Sequence, residues 1–374
     1  MLIGVPKEIK VHEYRVGLLP ASAREAVAAG HRVIVEAGAA GGIGHPDAEY
    51  LAIGAEVVDT AEEVFARADL IVKVKEPQPH ERRRLREGQV LFAYLHLAPD
   101  PAQTSDLMAG GAVCIAYETV TSSKGGLPLL APMSEVAGRM ALQAGARCLE
   151  KEQGGRGILP GGVPGVAPAK VSILGGGVVG ANAALIAVGM GADVTVLDRD
   201  TDRLRHLAER FEGRLKCVHS NVETVESYVV DADLVIGAVL VPGAEAPKLI
   251  PRALMGRMKP GSAFVDVSID QGGCAETSRP TTHADPTYLE EGVVHYCVTN
   301  MPGAVPHTSS YALNNATLPF VLALAGKGWR RALKEDRHLA AGLNVARGKL
   351  TCRPVAEGLG LMGDYVEATE MLMP

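Results

Sequence analysis

The sequence lacks several features that would each mark a class of protein. No stretch approaches the roughly 20 uninterrupted apolar residues of a membrane-spanning helix. The start, MLIGVPKEIKVHE, has no basic segment followed by an apolar one, as a secretory leader would. Both absences lead to the expectation of a cytoplasmic protein with no membrane partner. The six cysteines, at 114, 148, 217, 274, 297 and 352, form no CxxC pair and no metal-ligand spacing. They are expected to be reduced packing thiols, with no metal site. Positive charge is not in surplus, since 37 Lys and Arg stand against 43 Asp and Glu for a formal net charge of −6. That argues against nucleic acid as a partner, because phosphate binding needs clustered positive charge. The densest basic run, HERRRLRE at 80–87, is mixed with acids and is expected to be a solvated helix face. There is no fixed-period repeat and no low-complexity tract.

What is present is ample core material: 374 residues, 47% hydrophobic and 21% charged, enough for two domains. Short apolar runs alternate with helix-periodic segments, the pattern of a parallel sheet covered by helices. LIGVP (2–6), HRVIVEAG (31–38), AEVVD (55–59), ADLIVKVKEP (68–77), VLFAYLHLA (90–98) and GAVCIAYE (111–118) read as successive strands. Residues 119–133 are turn-rich. A helix is expected over 134–152, with Ser134 as its N-cap, followed by an irregular Gly- and Pro-rich stretch at 154–169. From 170, KVSILG, ADVTVLD, RLKCVHS, ADLVIGAVL, SAFVDVSID and VVHYCVTN supply about six further strands, the content of a dinucleotide-binding domain. The tail after residue 310 reads as helical up to 348, without strands of its own, and is expected to return to cover the first sheet. The fold class is therefore α/β with two Rossmann-like doubly wound domains. A nucleotide domain (129–306, with the linker helix 134–152) is inserted into a discontinuous substrate domain (1–128 and 307–374).

The sharpest motif lies at 170–200. An apolar strand runs into Gly175-Gly176-Gly177-Val178-Val179-Gly180, a GxGxxG turn that opens a helix, and the next strand ends on Asp198, 18 residues beyond Gly180. Gly175 permits the tight turn, Gly177 lets backbone approach a pyrophosphate, and Gly180 lets helix and strand pack closely. The helix N-terminus offers N–H groups to phosphate. Asp198 suits a ribose diol and repels a 2′-phosphate, so the expected cofactor is NAD.

Ligands of doubly wound sheets bind beyond the carboxyl ends of the strands. Alternation places Asp69, Ile71, Lys73 and Lys75 on one face of ADLIVKVKEP, and Val90, Phe92, Tyr94 and His96 on one face of VLFAYLHLA. If the two strands are parallel neighbours, Lys75 and His96 leave the sheet at the same edge. Asp270 and Asn300 stand at corresponding strand ends on the nucleotide side.

Taken with IGVPKEIKVHEYRVGLLP, PMSEVAGRMA, DVSIDQGGCAETSRPTTH and CVTNMPGAVPHTSS, these stretches resemble the alanine dehydrogenase/nicotinamide nucleotide transhydrogenase family over nearly the whole chain. The resemblance implies reversible NAD-dependent oxidative deamination of L-alanine to pyruvate and ammonia by a homohexamer. It implies that Arg15 holds the substrate carboxylate with its planar fork of donors, that Lys75 and His96 contact the carboxylate and the reacting group at C2, and that Asp270 positions or exchanges a proton with water. Tyr94 and Asn300 complete the substrate side. Ser134, Val178, Val179, Asp198, Arg203, Ser220, Val239, Leu240, Val267, Ser268, Ile269, Asp270, Val298, Asn300 and Met301 would line NAD with the three glycines. Because the histidine side chain is the type that ordinarily exchanges a proton near neutral pH, His96 is the natural proton shuttle, and Asp270 is its rival. Two alternatives stand beside this reading: a saccharopine-type oxidoreductase for a bulkier amino acid, and a non-catalytic NAD(H)-binding subunit of transhydrogenase.

Overall fold

The structure, a computed structural model, describes residues 1–239 and 246–373. In chain order the strands are β1 (Leu2–Val5), β2 (Arg32–Glu36), β3 (Glu56–Val58), β4 (Leu70–Val72), β5 (Val90–Ala93), β6 (Val113–Ala116), β7 (Lys170–Leu174), β8 (Asp193–Asp198), β9 (Lys216–His219), β10 (Leu234–Gly237), β11 (Ala263–Asp266), β12 (Thr287–Glu290), β13 (Val293–Tyr296), β14 (Leu343–Ala346) and β15 (Lys349–Leu350). The chain divides into two compact units, residues 1–133 with 305–374, and residues 134–304.

In the first unit the sheet order is β15-β14-β6-β5-β4-β1-β2-β3. Strands β1 to β6 are parallel, and β14 pairs antiparallel with both β6 and β15. Read from β3, the parallel part runs 3-2-1-4-5-6, the doubly wound order in which the strand order reverses between β1 and β4. Its central strands β4, β5 and β6 are continuous apolar runs, as strands buried on both faces must be; Ile34, Ile71, Leu91 and Cys114 are fully buried in one cluster on one side. The helix Pro306–Lys327 returns here. Its Asn314 Oδ1 accepts from Leu19 N at 2.7 Å and its Nδ2 donates to Val16 O at 3.2 Å, which fixes the loop that carries Arg15.

In the second unit the order is β12-β13-β11-β10-β7-β8-β9, all parallel except β12. Without β12 it repeats the 3-2-1-4-5-6 order, with the reversal between β7 and β10. Alternate residues feed two cores: Val171, Ile173, Leu234 and Ile236 on one face, Leu174, Val235 and Phe264 on the other. The helix Val178–Gly189 buries Gly180, Ala181, Ala183, Ala184 and Ala187. Such small residues let neighbours approach closely: a Cβ on Gly138, in the helix Ala131–Cys148, would lie 2.2 Å from Val179 O.

Five expectations need correction. The linker helix begins at Ala131 and ends at Cys148, so Ser134 lies within its first turn and is not the cap. Pro132 sits at the start, where a missing N–H costs no helix bond. The tail does contain strands, β14 and β15; the run LNVA, fenced by Gly342 and Gly348, is too short to show a period but is completely buried. The short antiparallel β12, in a stretch of mixed polarity, also went unread. Lys75, His96, Asp270 and Asn300 are not strand-terminal: β4 stops at Val72, β5 at Ala93, β11 at Asp266 and β13 at Tyr296, and Asp270 lies on a 3₁₀ turn, Val267–Gln271. The 80–87 run is not a uniformly solvated face, because Glu81 and Arg82 are buried. Arg82 Nε donates to Asp106 Oδ2 at 2.8 Å.

Candidate active site

Of the residues expected on the substrate side, Arg15, Lys75, Tyr94 and His96 belong to the first unit and stand beyond the carboxyl ends of β1, β4 and β5, whereas Asn300 belongs to the second. Strands β4 and β5 are parallel neighbours, with Val72 opposite Phe92. Pairing runs just past them, as Lys73 N donates to Phe92 O at 3.2 Å and Tyr94 N to Val74 O at 3.1 Å. Beyond that point each backbone amide needs another acceptor. Glu8, three residues after β1, takes Val74 N at 2.7 Å and Lys75 N at 3.3 Å on its Oε1. Glu118, after β6, takes His96 N at 2.7 Å and Leu95 N at 3.1 Å on its Oε1.

Lys73 is fully buried between Glu8 (3.1 Å) and Glu81 (2.9 Å). Burial would lower its pKa, but the two carboxylates more than offset this and raise it, whereas burial pushes the Glu8 carboxyl up despite Lys73. Lys75 is half-buried. Arg15 is 2% exposed and gives its side-on edge to Glu13, Nε to Oε1 at 2.7 Å and Nη2 to Oε2 at 2.5 Å. Burial opposes the Arg15 charge, and Glu13 restores it. Tyr94 donates to Leu129 O at 2.5 Å, and its ring stacks on His96 at 5.8 Å between centroids, 10° from parallel. His96 adopts φ +49, in the left-handed region that few non-glycine residues enter. Glu76 ties Lys75 and His96 together electrostatically: burial would raise its carboxyl, yet Lys75, Lys10 and His96 hold it below the usual range.

The second unit brings the nucleotide candidates to the reversal point of its own sheet. Gly175 has φ +103, and a Cβ there would lie 2.6 Å from Ala238 O, so the turns after β7 and β10 abut. A Cβ on Gly180 would lie 1.8 Å from Gly175 O. A Cβ on Gly177 would meet nothing within 4 Å: the space in front of this N-cap is open. Val178 is exposed and Val179 half-buried on the first turn. Asp198 accepts from Gly176 N at 2.7 Å and from Arg203 Nη1 at 3.3 Å, so the acid at the end of β8 reaches the glycine turn. Ser220 N donates to Asp198 O at 2.9 Å. This set fits a dinucleotide: open backbone for the phosphates, and an acid held beside them for a ribose.

The loop with Asp270 hangs on buried Asp266. Its carboxylate accepts from Ser268 N at 3.0 Å, Cys274 N at 2.8 Å and Ser278 Oγ at 2.6 Å; burial raises its pKa against these bonds. Ser268 Oγ donates to Val239 O at 2.7 Å, joining the turns after β10 and β11. Val267 is half-buried, Ser268 and Ile269 are buried, and Asp270 is exposed. Val298 and Met301 are buried, and Asn300, at φ +64, receives a hydrogen bond from His283 Nε2 on its carbonyl at 3.0 Å. Ser134 is half-buried in the second unit. Leu240 lies outside the described residues. Among the described residues, no three His, Cys, Asp or Glu are grouped to hold a metal ion, and no helix is long and apolar enough to cross a membrane.

Sequence reading missed Glu8, Glu13, Lys73, Glu118 and Asp266. Only Lys73 left a signal, as a lysine inside an apolar strand run.

Two family models match: "Alanine dehydrogenase/PNT, N-terminal domain" over residues 4–137 and "Alanine dehydrogenase/PNT, C-terminal domain" over 141–353. An alanine dehydrogenase of Halomonas elongata is 61% identical over 372 residues, and one of Mycolicibacterium smegmatis 52% identical over 372 residues, each comparison covering 100% of both chains. A solved structure titled L-alanine dehydrogenase superposes with a TM-score of 0.92 at 52% identity, covering 96% of this chain and 99% of that one. Each unit's sheet topology and the match along the full chain lead to one assignment: this chain belongs to the alanine dehydrogenase/PNT family.

Proposed function

We propose that this chain is an NAD-dependent L-alanine dehydrogenase, that its first unit binds the amino acid and that its second binds the dinucleotide. The observation that carries the reading is that Lys75 and His96 leave adjacent parallel strands at one edge, where the sheet order reverses and the Arg15 loop stands. The identity to alanine dehydrogenases over the full chain supports the substrate.

In this reading Lys75 and Arg15 hold the substrate carboxylate. Glu13 pairs with Arg15, whose planar fork contributes geometry for a carboxylate. Tyr94 backs the His96 ring, and Asn300 completes the substrate contacts. Loss of hydride from Cα requires a neutral amine, so His96 takes the ammonium proton. It returns a proton as water adds to the resulting imine and ammonia leaves. Asp270 orients that water. Such acid–base steps are worth about 10²- to 10⁴-fold in rate.

Gly175, Gly177, Gly180, Val178 and Val179 would hold the pyrophosphate of NAD, and Asp198, Arg203 and Ser220 its adenosine end. Ser134, Val239, Leu240, Val267, Ser268, Ile269, Val298 and Met301 would line the remainder. NAD+ supplies the hydride acceptor. By its family resemblance the enzyme works as a cytoplasmic homohexamer on L-alanine, pyruvate and ammonia.

The test is the comparison of His96→Ala with Asp270→Ala. Loss of about 10²-fold or more in kcat for His96→Ala, with a smaller loss for Asp270→Ala, is expected. Near-normal turnover in His96→Ala with loss in Asp270→Ala would reverse the two roles.

A further inference from the structure

His96 lies three residues past the end of β5, and the backbone that carries it has left the sheet. Residues 95–97 are held by side chains: Glu118 accepts from Leu95 N and His96 N, Gln103 Nε2 donates to Leu95 O at 2.5 Å, and Thr104 Oγ1 donates to Leu97 O at 3.1 Å. Glu118 is the only charged group among these partners. It takes the amide of the one residue in the segment at positive φ. The same device recurs on the neighbouring strand, where Glu8 receives Val74 N and Lys75 N on one oxygen. The order β6-β5-β4-β1 therefore has two inner strands carrying Lys75 and His96, and two outer strands each followed by a glutamate that clasps an inner strand's continuation. A left-handed turn at a histidine is held only when its surroundings fix it. Here the fixing group is a carboxylate that accepts two consecutive amides.

We infer that Glu118 is a positioning residue for the reaction: it holds the left-handed turn at His96 and so aims the imidazole, without itself meeting the substrate. The inference rests on the reading of His96 as the proton shuttle. It does not concern the sheet itself, since β5 and β6 pair through Val90–Ala93 and Val113–Ala116 independently of Glu118.

The test uses the full-length protein as Glu118→Ala, Glu118→Gln, His96→Ala and the double His96→Ala/Glu118→Ala. Each is assayed for kcat and KM in NADH oxidation with pyruvate and ammonium, and titrated with NADH by fluorescence as a check on folding. Glu118→Ala should lower kcat about 10²-fold with NADH affinity unchanged, the scale of loss for a displaced catalytic group. Glu118→Gln, which keeps an oxygen where Oε1 accepts both amides, should restore most of that loss. The double variant should be no slower than His96→Ala, because the two act as one unit. Wild-type kcat in Glu118→Ala while His96→Ala is inactive would overturn the inference and leave the His96 reading standing. So would losses that multiply in the double variant. Full turnover in His96→Ala would instead remove the reading itself. If Glu118→Ala no longer binds NADH, Glu118→Asp decides: one methylene shorter, it cannot reach both amides, so lost kcat with intact NADH binding supports the inference and wild-type kcat overturns it.

Discussion

His295 illustrates how a single buried side chain couples this fold to pH. It is fully buried beside Phe264 and Tyr288; its Nδ1 donates to Val293 O at 2.9 Å, and its Nε2 lies 2.8 Å from Thr277 Oγ1. Burial, with help from Arg279 and Arg252, holds its pKa below the ordinary 6.5, against the Val293 carbonyl and Glu290. The folded state therefore binds fewer protons than the unfolded chain below that pH, so stability rises with pH through this window. The contribution is fully present above about pH 6.5 and is lost as pH falls through the folded pKa. Thermal unfolding at pH 7.5 and 5.5 should show a larger drop in wild type than in His295→Gln; equal drops would remove His295 from the account. At this scale the sequence is legible where the candidate residues lie just past a strand's end, as with Lys75 and His96, or inside a spaced motif, as with Asp198. Glu118, 22 residues from His96, and Glu8, 66 from Val74, were not legible. Their partners are backbone amides of another segment, and an amide leaves no trace in residue type.

The glycine turn separates two uses of one residue type within a single element. At Gly180 a Cβ collides with Gly175 O, so Gly180→Ala should destabilise the second unit by about 1–3 kcal/mol, the usual overpacking cost. At Gly177 the backbone is extended at φ −67 and a Cβ meets nothing within 4 Å. Gly177→Ala should leave the melting temperature unchanged but weaken NADH about 10-fold or more, or about 1.4 kcal/mol, by placing a methyl where phosphate approaches. Thermal melts paired with NADH titrations check both; unchanged affinity in Gly177→Ala would show that phosphate does not pass there. The strands that position these turns were legible because burial on both faces makes them continuous apolar runs. Strands β12, β14 and β15 were not, being two to four residues long and defined by a partner strand elsewhere. The linker helix was legible in its Ala-rich body and not in its start, where Pro132 rather than Ser134 marks the first turn.

At the scale of the whole chain, one strand order is used twice, with the second unit set within the sequence of the first. In both, the residues singled out gather beyond the carboxyl ends of strands flanking the reversal: Arg15 after β1 and Lys75 after β4, the glycine turn after β7 and Val239 after β10. That rule of placement, with the GxGxxG spacing, made much of the candidate site legible. The charge arrangement around it was not, since Arg15 and Lys73 are each matched by buried glutamates that no spacing reveals. The central claim is that this pair of sites reductively aminates a small oxoacid. It is tested most directly by mixing the protein with NADH, ammonium and pyruvate and following NADH absorbance. The account predicts NADH consumption that requires both ammonium and pyruvate. Consumption only with a bulkier oxoacid, or none with any, would contradict it.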